Sequence, residues 1–252
     1  MARRSFAKSG IKIFFLFLLI IFCFNRIIGT KNLSRIESLE KKLKEDSNNL
    51  DIILPLAESY YKKGIYLDDA RESFPYFEGA IFLYKRAFNI NKDPKTAFLL
   101  GKTYFNMAKY LEKEERGKFY KEAQENFLFS YNNGFVDKEL FILLGHSYLI
   151  DGFFDKSIEF YSKALLLDKK DPIILSNLAF CYKEKGDLEK ALSYLKIIDE
   201  PLDKETYIDL HLSFGDIYEK KGLLLLARKE YSTVLKKDKG NEKALRAIKR
   251  LD

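Results

Sequence analysis

The sequence has no tryptophan and few cysteines, histidines and prolines, and each shortage excludes a class of protein. Its 252 residues include two Cys, two His and five Pro. Cys23 and Cys181 stand far apart, so neither a disulfide framework nor a zinc site is expected. We interpret Cys181 as a buried, unreactive thiol. The composition therefore predicts no metal and no cofactor.

Turn-forming residues are also scarce, since only thirteen Gly and five Pro punctuate the chain. A protein of many β-strands needs a turn signal about every 8–12 residues. Long stretches without such signals favour helices, and 47% apolar residues suffice for a real core. We therefore expect an all-α protein.

The net charge of +7 is concentrated at the two ends of the chain. Residues 1–12 contribute +4 and residues 228–252 contribute +5, so the part between them sums to −2. Nucleic-acid binding needs a continuous basic stripe along the phosphates. Two separate basic ends do not form one, and no nucleic-acid partner is predicted.

An apolar segment follows the basic N-terminus. Residues 13–24 are twelve uninterrupted apolar residues. As a helix they would rise about 18 Å, which is short of the roughly 30 Å hydrocarbon core. Lysine and arginine side chains at the ends can snorkel, so a short membrane anchor is possible. The predicted membrane segment includes Ile13, Phe14, Leu16, Leu18, Ile20, Phe22 and Phe24.

Three interpretations of this segment stay open. The first is an uncleaved signal anchor that leaves the rest of the chain on the exported, periplasmic side. The second is a cleaved secretory peptide, with Ile27 and Gly29 at positions −3 and −1. The third is a lipoprotein signal that ends at Cys23, although the bulky Phe22 precedes it. Each of them exports residues 30–252.

Two short patterns alternate through most of the remaining chain. The first pattern is Leu-small-x-x-Tyr, and the second is small-x-x-x-aromatic or Leu-x-x-small. The first pattern begins at Leu56, Leu100, Leu144, Leu178 and Phe214. The second begins at Ala80, Ala123, Ser157, Ala191 and Ala227. We interpret each repeat as an antiparallel helix pair in which the small residue lets two backbones approach.

Residues that end or begin helices stand where such pairs must turn. Gly152, Gly186 and Gly222 are predicted to end first helices. Pro94 and Pro172 suit the first turn of new helices, with the preceding aspartates as N-caps.

The patterns resemble the tetratricopeptide repeat (TPR) family over about residues 50–241. The resemblance implies a right-handed solenoid of about five helix-pair repeats that binds proteins and catalyses nothing. Spacings of 44, 44, 34 and 36 residues imply insertions of about ten residues in the first two repeats. We assign residues 1–29 to the leader, 30–49 to an amphipathic linker helix (a stalk or a cap) and 242–252 to a capping helix.

Two near-motifs do not support an enzyme. Gly101-Lys102-Thr103 imitates the end of a phosphate-binding loop, but Thr96 stands where the first glycine belongs. Gly145-His146-Ser147 starts like a nucleophile elbow and lacks its second glycine. We predict no small-molecule substrate.

The TPR resemblance also implies a concave groove lined by fixed positions of each first helix. The groove residues are Phe98, Lys102, Phe105, Ile142, His146, Leu149, Ile150, Phe180 and Lys183. The Lys and Asn clamp for a chaperone C-terminus is missing, and the centre of the groove is apolar. An amphipathic helix or an extended apolar peptide of a partner would fit it. His146 is more simply read as structural, and His211 as a packing residue.

We therefore expect a membrane-tethered scaffold of the cell envelope that binds a protein partner. The TPR resemblance suggests outer-membrane, secretion or flagellar-collar assembly as settings. The alternative is a homo-oligomeric structural component that assembles through residues 31–50 or the last helix.

Overall fold

A computed structural model describes residues 34–67, 69–199 and 203–251, and within them every regular element is a helix. The expected all-α fold is confirmed for this part of the chain. The predicted leader, with all seven named membrane-segment residues and Cys23, lies outside the described residues. No helix in the described ranges is long and apolar enough to cross a membrane.

Twelve helices follow one another along the described ranges. The first three are α1 (34–45), α2 (Leu50–Tyr66) and α3 (Ala70–Asn91). Next come α4 (Pro94–Ala108), α5 (Lys113–Asn132) and α6 (Lys138–Ile150). The third group is α7 (Phe154–Leu167), α8 (Pro172–Glu184) and α9 (Leu188–Leu195). The last are α10 (Lys204–Lys220), α11 (Leu224–Lys237) and α12 (Glu242–Leu251).

The helices fall into two units. Unit one ends at Ser130, within the last turn of α5, and contains α1, the pair α2/α3, α4 and the rest of α5. Unit two begins at Tyr131 and contains the pairs α6/α7, α8/α9 and α10/α11, followed by α12. The helix α3 has 22 residues and α5 has 20, against 14 for α7. The additional residues of the first two repeats thus lie largely in longer second helices.

Aspartates begin helices where the sequence places them. The Asp93 carboxylate accepts a hydrogen bond from the Thr96 amide at 2.8 Å. The Asp171 carboxylate accepts one from the Ile173 amide at 2.9 Å. Each bond satisfies an amide that has no partner within the helix. Both predicted N-caps are confirmed.

Three glycines make the turns between paired helices in unit two. Gly152, Gly186 and Gly222 have φ angles of +76°, +84° and +73°. Side chains rarely adopt this left-handed backbone, so glycine lets the first helix stop and the second begin within a few residues. The predicted role of these glycines is confirmed.

At Gly101 an added Cβ atom would lie 3.0 Å from the Ala123 carbonyl oxygen, which is the expected approach of two backbones. In unit two the small residue of the first helix instead makes room for an aromatic ring. A Cβ atom added at Gly145 would lie 2.6 Å from Cε1 of Tyr161. At Gly215 it would lie 2.5 Å from Cε1 of Tyr231. Each ring comes from the second helix of the same pair and is buried. These positions therefore require glycine, because the tyrosine ring occupies the space that a side chain would need.

Terminal helices cover the ends of the two units. In α1, Ile36 is buried and Glu40 accepts a hydrogen bond from the Tyr60 hydroxyl of α2. The α1 helix is thus a cap, which decides between the two expected roles. In unit two, Ala244 and Ala247 of α12 pack into the core that contains Tyr231. The apolar sides of both terminal helices are used within the chain.

Two buried tyrosines at equivalent positions give a first testable prediction. The Tyr231 hydroxyl lies 2.9 Å from carboxylate oxygens of both Asp216 and Glu219. The Tyr161 hydroxyl, also buried, has no hydrogen-bond partner among the described residues. We expect Tyr231→Phe to lower the free energy of unfolding by about 1–2 kcal/mol, because a charge-assisted bond is lost.

The matched change, Tyr161→Phe, is expected to be neutral or to stabilise by about 1 kcal/mol, because it removes an unpaired buried hydroxyl. Urea unfolding followed by far-ultraviolet circular dichroism measures both effects. Equal losses for the two variants would contradict the assigned hydrogen bonds.

Candidate partner-binding surface

The predicted groove residues divide between the two units. Phe98, Lys102 and Phe105 lie on α4 in unit one. The remaining six lie on α6 and α8 in unit two. The two sets have different surroundings within their own units.

In unit one the two phenylalanines are not open to a partner. Phe98 and Phe105 are each only 5% exposed. The ring of Phe127 lies 6.1 Å from the Phe98 ring and 6.3 Å from the Phe105 ring. The expectation that these two rings form the apolar centre of a groove is therefore wrong for this structure, because they belong to the core around α5. Lys102 spreads over the rings of Tyr61 and Phe98.

Unit two contains an open pocket of about 610 Å³, here called the unit-two pocket. It lies among α6, α8, α10, α11 and α12. Apolar lining comes from Leu149, Phe180, Leu212 and Ala247. Charged lining comes from Lys183, Asp209, Asp216, Lys243, Arg246 and Arg250. Three of the predicted groove residues, Leu149, Phe180 and Lys183, line this pocket.

Phe180 is the large apolar group that the pocket presents. Its side chain is on α8 and is 42% exposed. The Lys183 amine lies 4.8 Å from the centre of the Phe180 ring and 3.8 Å from the Asp216 carboxylate. This cation–π contact fixes the lysine against one face of the ring. The rest of the ring remains available to a ligand.

The side of the pocket formed by α12 is basic. Lys243, Arg246 and Arg250 recur at helical spacing, so they share one face of this helix. Arg250 forms two hydrogen bonds of 2.8 Å with the carboxylate of Glu219 on α10. Arg246 pairs with Glu242 on its own helix. Lys243 is exposed and forms no hydrogen bond or ion pair within the described ranges.

Glu219 of α10 holds the basic side of α12 in place. The Arg250 guanidinium, and then the hydrogen bond from Tyr231, hold the pKa of Glu219 below its usual range, against the opposing effect of its burial. The carboxylate therefore stays charged at neutral pH. It joins α10, α11 and α12 through one set of hydrogen bonds, so the basic face of α12 has a fixed position over the pocket.

Sequence reasoning missed the contribution of α12. Residues 242–252 were predicted as a capping helix or, in the alternative, as an assembly surface, and not as a pocket wall, although the spacing of the three cations was visible. A capping helix needs apolar residues on one side alone, and Ala244 and Ala247 supply them. The adjoining basic side, together with Ala247, faces the pocket.

The other predicted groove residues have different surroundings. Ile142 is half-buried, and Ile150 is 50% exposed at the end of α6. His146 lies 3.1 Å from the Asn177 amide nitrogen and edge-on to the Tyr161 ring. These contacts fit the structural role that we preferred for His146.

Two further residues match their expected roles. His211 packs on the Tyr207 ring and also pairs with Glu230 at 2.6 Å, a contact that the sequence did not indicate. Cys181 is fully buried, and burial raises the pKa of its thiol to about 11. A thiol of this kind is a poor nucleophile at neutral pH.

The near-motifs lie in ordinary helix. Gly101, Lys102 and Thr103 are in the middle of α4, where Gly101 is pressed by the Phe127 ring. No loop forms there to surround a phosphate. Within the described ranges, no three His, Cys, Asp or Glu side chains converge as a metal site would require.

Comparison with known proteins identifies the repeat. Family models described as tetratricopeptide repeat match residues 139–171 and 160–193. These ranges cover the α6/α7 pair, α8 and most of α9. The TPR repeats predicted from the sequence are confirmed there. TPR domains bind protein partners, and TPR proteins act typically as scaffolds without catalytic activity.

A curated relative is Hsp70-Hsp90 organizing protein 2 of Arabidopsis thaliana. It is 25% identical over 202 residues, which is 77% of this chain and 31% of that protein. The chain thus spans less than a third of the length of this relative.

Several solved structures have a fold similar to that of this chain. The TPR protein YrrB, described as having an unusual peptide-binding site, is 18% identical with a TM-score of 0.66. The alignment covers 85% of this chain and 99% of YrrB. MamA is 21% identical with a TM-score of 0.56, over 73% of this chain and 92% of MamA. PilF of Pseudomonas aeruginosa is 14% identical with a TM-score of 0.59, over 88% and 93%. These likenesses confirm the TPR fold.

Proposed function

We propose that this chain is a non-enzymatic scaffold whose unit two binds a segment of a partner protein in the unit-two pocket. The observation that carries the proposal is the half-exposed Phe180 ring beside the basic face of α12. A large aromatic side chain left open in a concave site is unusual in a monomer unless something covers it. The TPR fold supports a protein as that partner.

The pocket favours a segment with an apolar side chain next to a carboxylate. The apolar group would cover Phe180 and Leu149, where most of the uncharged surface lies. The carboxylate would face Lys243, which has no ion pair within the described ranges, and Arg246, whose pair with Glu242 is exposed. Asp209 on the α10 side would disfavour a second acidic group at that end.

The second testable prediction concerns Phe180. A photo-crosslinking amino acid at Ser176, on the pocket wall, would capture the partner in intact cells. With the partner identified, Phe180→Ser is expected to raise its Kd about tenfold or more, because the central apolar contact is lost. Isothermal titration calorimetry on the full chain measures the change.

The matched control is Leu166→Ser, which changes a 75% exposed leucine of α7 outside the pocket. It should leave the Kd unaltered. Lys243→Glu tests the charge separately and should weaken binding while the circular dichroism spectrum stays the same. Full affinity in a folded Phe180→Ser variant would refute the proposal.

We further propose that the scaffold is exported and tethered in the cell envelope by residues 1–29. The basic start and the apolar run at 13–24 support this placement. Mass spectrometry of the mature N-terminus distinguishes a retained anchor from a cleaved peptide and a lipidated Cys23. Loss of a C-terminal tag when protease is added to spheroplasts would demonstrate export, and its protection there would contradict it.

A homo-oligomer remains the alternative prediction. The apolar residue Ile36 of α1 is buried within the chain, and α12 uses its alanines internally. These contacts reduce the apolar surface that the two helices offer to a second copy, while Leu245 of α12 is 47% exposed. Light scattering of the full chain in detergent separates the two cases.

A further inference from the structure

Four consecutive leucines are exposed at the start of α11. Leu223 and Leu226 are each 42% exposed, Leu224 is 49% exposed and Leu225 is 86% exposed. Leucine side chains occur singly on protein surfaces without needing an explanation, but a run of four in one turn is an apolar patch. The patch lies outside the unit-two pocket, since none of the four lines it.

The equivalent turn of the preceding repeat is polar. There Asp187 accepts a hydrogen bond from the Lys190 amide and caps α9, and Glu189 follows it. At α11 the N-cap position is Leu223, and no side chain caps the helix. Exchanging a capping aspartate for leucine weakens a helix about fivefold in its folding equilibrium. Three of the four leucines thus stand where α9 has Asp187, Glu189 and Lys190, while α7 likewise begins without a side-chain cap.

Basic residues flank the leucines on both sides. Residues 220–229 include Lys220, Lys221, Arg228 and Lys229 and contain no acidic residue. Lys221 pairs with Glu189, a carboxylate that is 79% exposed, and Lys220 lies 3.7 Å from Glu184. The pair of Lys220, whose side chain is 48% exposed, is weak and exchanges readily with other anions, whereas the Lys221 side chain is 20% exposed. Lys220, Lys221 and Lys229 against these two carboxylates still leave a net charge of +1 around the patch.

The nearest acidic residues in the sequence are held elsewhere. Glu219 is bound by Arg250, and Glu230 is bound by His211. Neither carboxylate neutralises the flanking lysines. The segment therefore has leucines at its tip and cations behind them. An anionic membrane surface has the matching order, with acyl chains inside and negatively charged headgroups outside.

We propose that the leucine run 223–226 inserts into the surface of an anionic lipid bilayer while the flanking lysines contact its headgroups. The leucines enter the boundary between headgroups and acyl chains, where each buried CH₂ group is favourable. The basic side chains stay at the level of the phosphates. This contact is peripheral and does not depend on whether residues 1–29 are retained.

The absence of tryptophan from the chain permits a direct test. Leu225→Trp places the sole tryptophan of the 252 residues at the tip of the patch. With the full chain, we expect its fluorescence to shift to the blue on addition of vesicles made from phosphatidylcholine and phosphatidylglycerol in a two-to-one ratio. Insertion of the leader alone would not alter a tryptophan so far along the chain. Leu166→Trp, at a leucine 75% exposed in the last turn of α7, is the matched reporter and should not shift.

Two variants of the Leu225→Trp protein separate the apolar and ionic parts. Leu224→Ser is expected to weaken vesicle partitioning about tenfold, by loss of leucine burial. Lys229→Gln, at an exposed lysine, is expected to weaken it about fivefold and only on anionic vesicles. No shift with anionic vesicles, an equal shift with pure phosphatidylcholine, or a shift caused only by a purified protein partner would each overturn the proposal.

Discussion

Phe127→Ala is expected to lower the free energy of unfolding of unit one by about 3–5 kcal/mol. The Phe127 side chain is fully buried and stands against α4. It fills the space beside Gly101, where an added Cβ atom would lie only 2.8 Å from the ring. Its loss leaves a cavity bounded by Phe98 and Phe105, and neither ring can close it without leaving its own contacts. Urea unfolding of the full chain, followed by far-ultraviolet circular dichroism, measures the loss.

The control for this change is Phe82→Ala on α3 in the same unit. Phe82 is 65% exposed, so its truncation removes little buried surface and should change stability by about 0.5 kcal/mol or less. The two variants lose the same atoms and differ in burial. Similar losses for both would mean that α5 does not pack on α4 as described.

Gly145→Ala is expected to lower the free energy of unfolding of unit two by about 2 kcal/mol, because the added methyl group overpacks the core. The new methyl group would lie 2.6 Å from Cε1, 2.7 Å from Cδ1 and 2.9 Å from Cζ of Tyr161. That ring is fully buried, so it cannot move aside freely. Overpacking costs about 1–3 kcal/mol or more, and the higher helix propensity of alanine returns about 1 kcal/mol. Thermal unfolding by circular dichroism checks the net loss.

The same substitution at Gly117 should have the opposite sign. Gly117 is an exposed residue of α5, and nothing lies within 4 Å of an added Cβ atom. Alanine then contributes only its higher helix propensity, which raises the free energy of unfolding by about 1 kcal/mol. A stabilised Gly145→Ala variant would contradict the assigned position of the Tyr161 ring.

The parts of the fold that short-range signals determine were predictable from the sequence. The aspartates before Pro94 and Pro172 begin α4 and α8, and the turn glycines adopt the expected left-handed backbone. The pairing of helices followed from the spacing of two short patterns. Each of these features depends on residues a few positions apart, where backbone sterics and capping act.

The surface was harder to predict because it depends on which neighbour packs against each helix face. Phe98 and Phe105 occupy positions that the TPR resemblance assigns to a groove, yet the rings of the long α5 helix cover them. Conversely, the position of the basic side of α12 at the pocket depends on the packing of Ala244 and Ala247 and on the hydrogen bonds between Arg250 and Glu219, thirty-one positions apart. Periodicity identifies the face of a helix and leaves open what that face meets.

Because α9 is short, we expect it to unfold locally more easily than the other paired helices of unit two. The helix has eight residues, which is too few to stay helical in water without tertiary contacts. Ala191, Leu192 and Leu195 supply those contacts by packing against α8, which also presents Phe180. Backbone amides in such a segment exchange with solvent through low-energy openings. A ligand that binds Phe180 and holds α8 in place would therefore stabilise the α8/α9 pair. Slower amide hydrogen exchange in α9 would then report that the unit-two pocket is occupied.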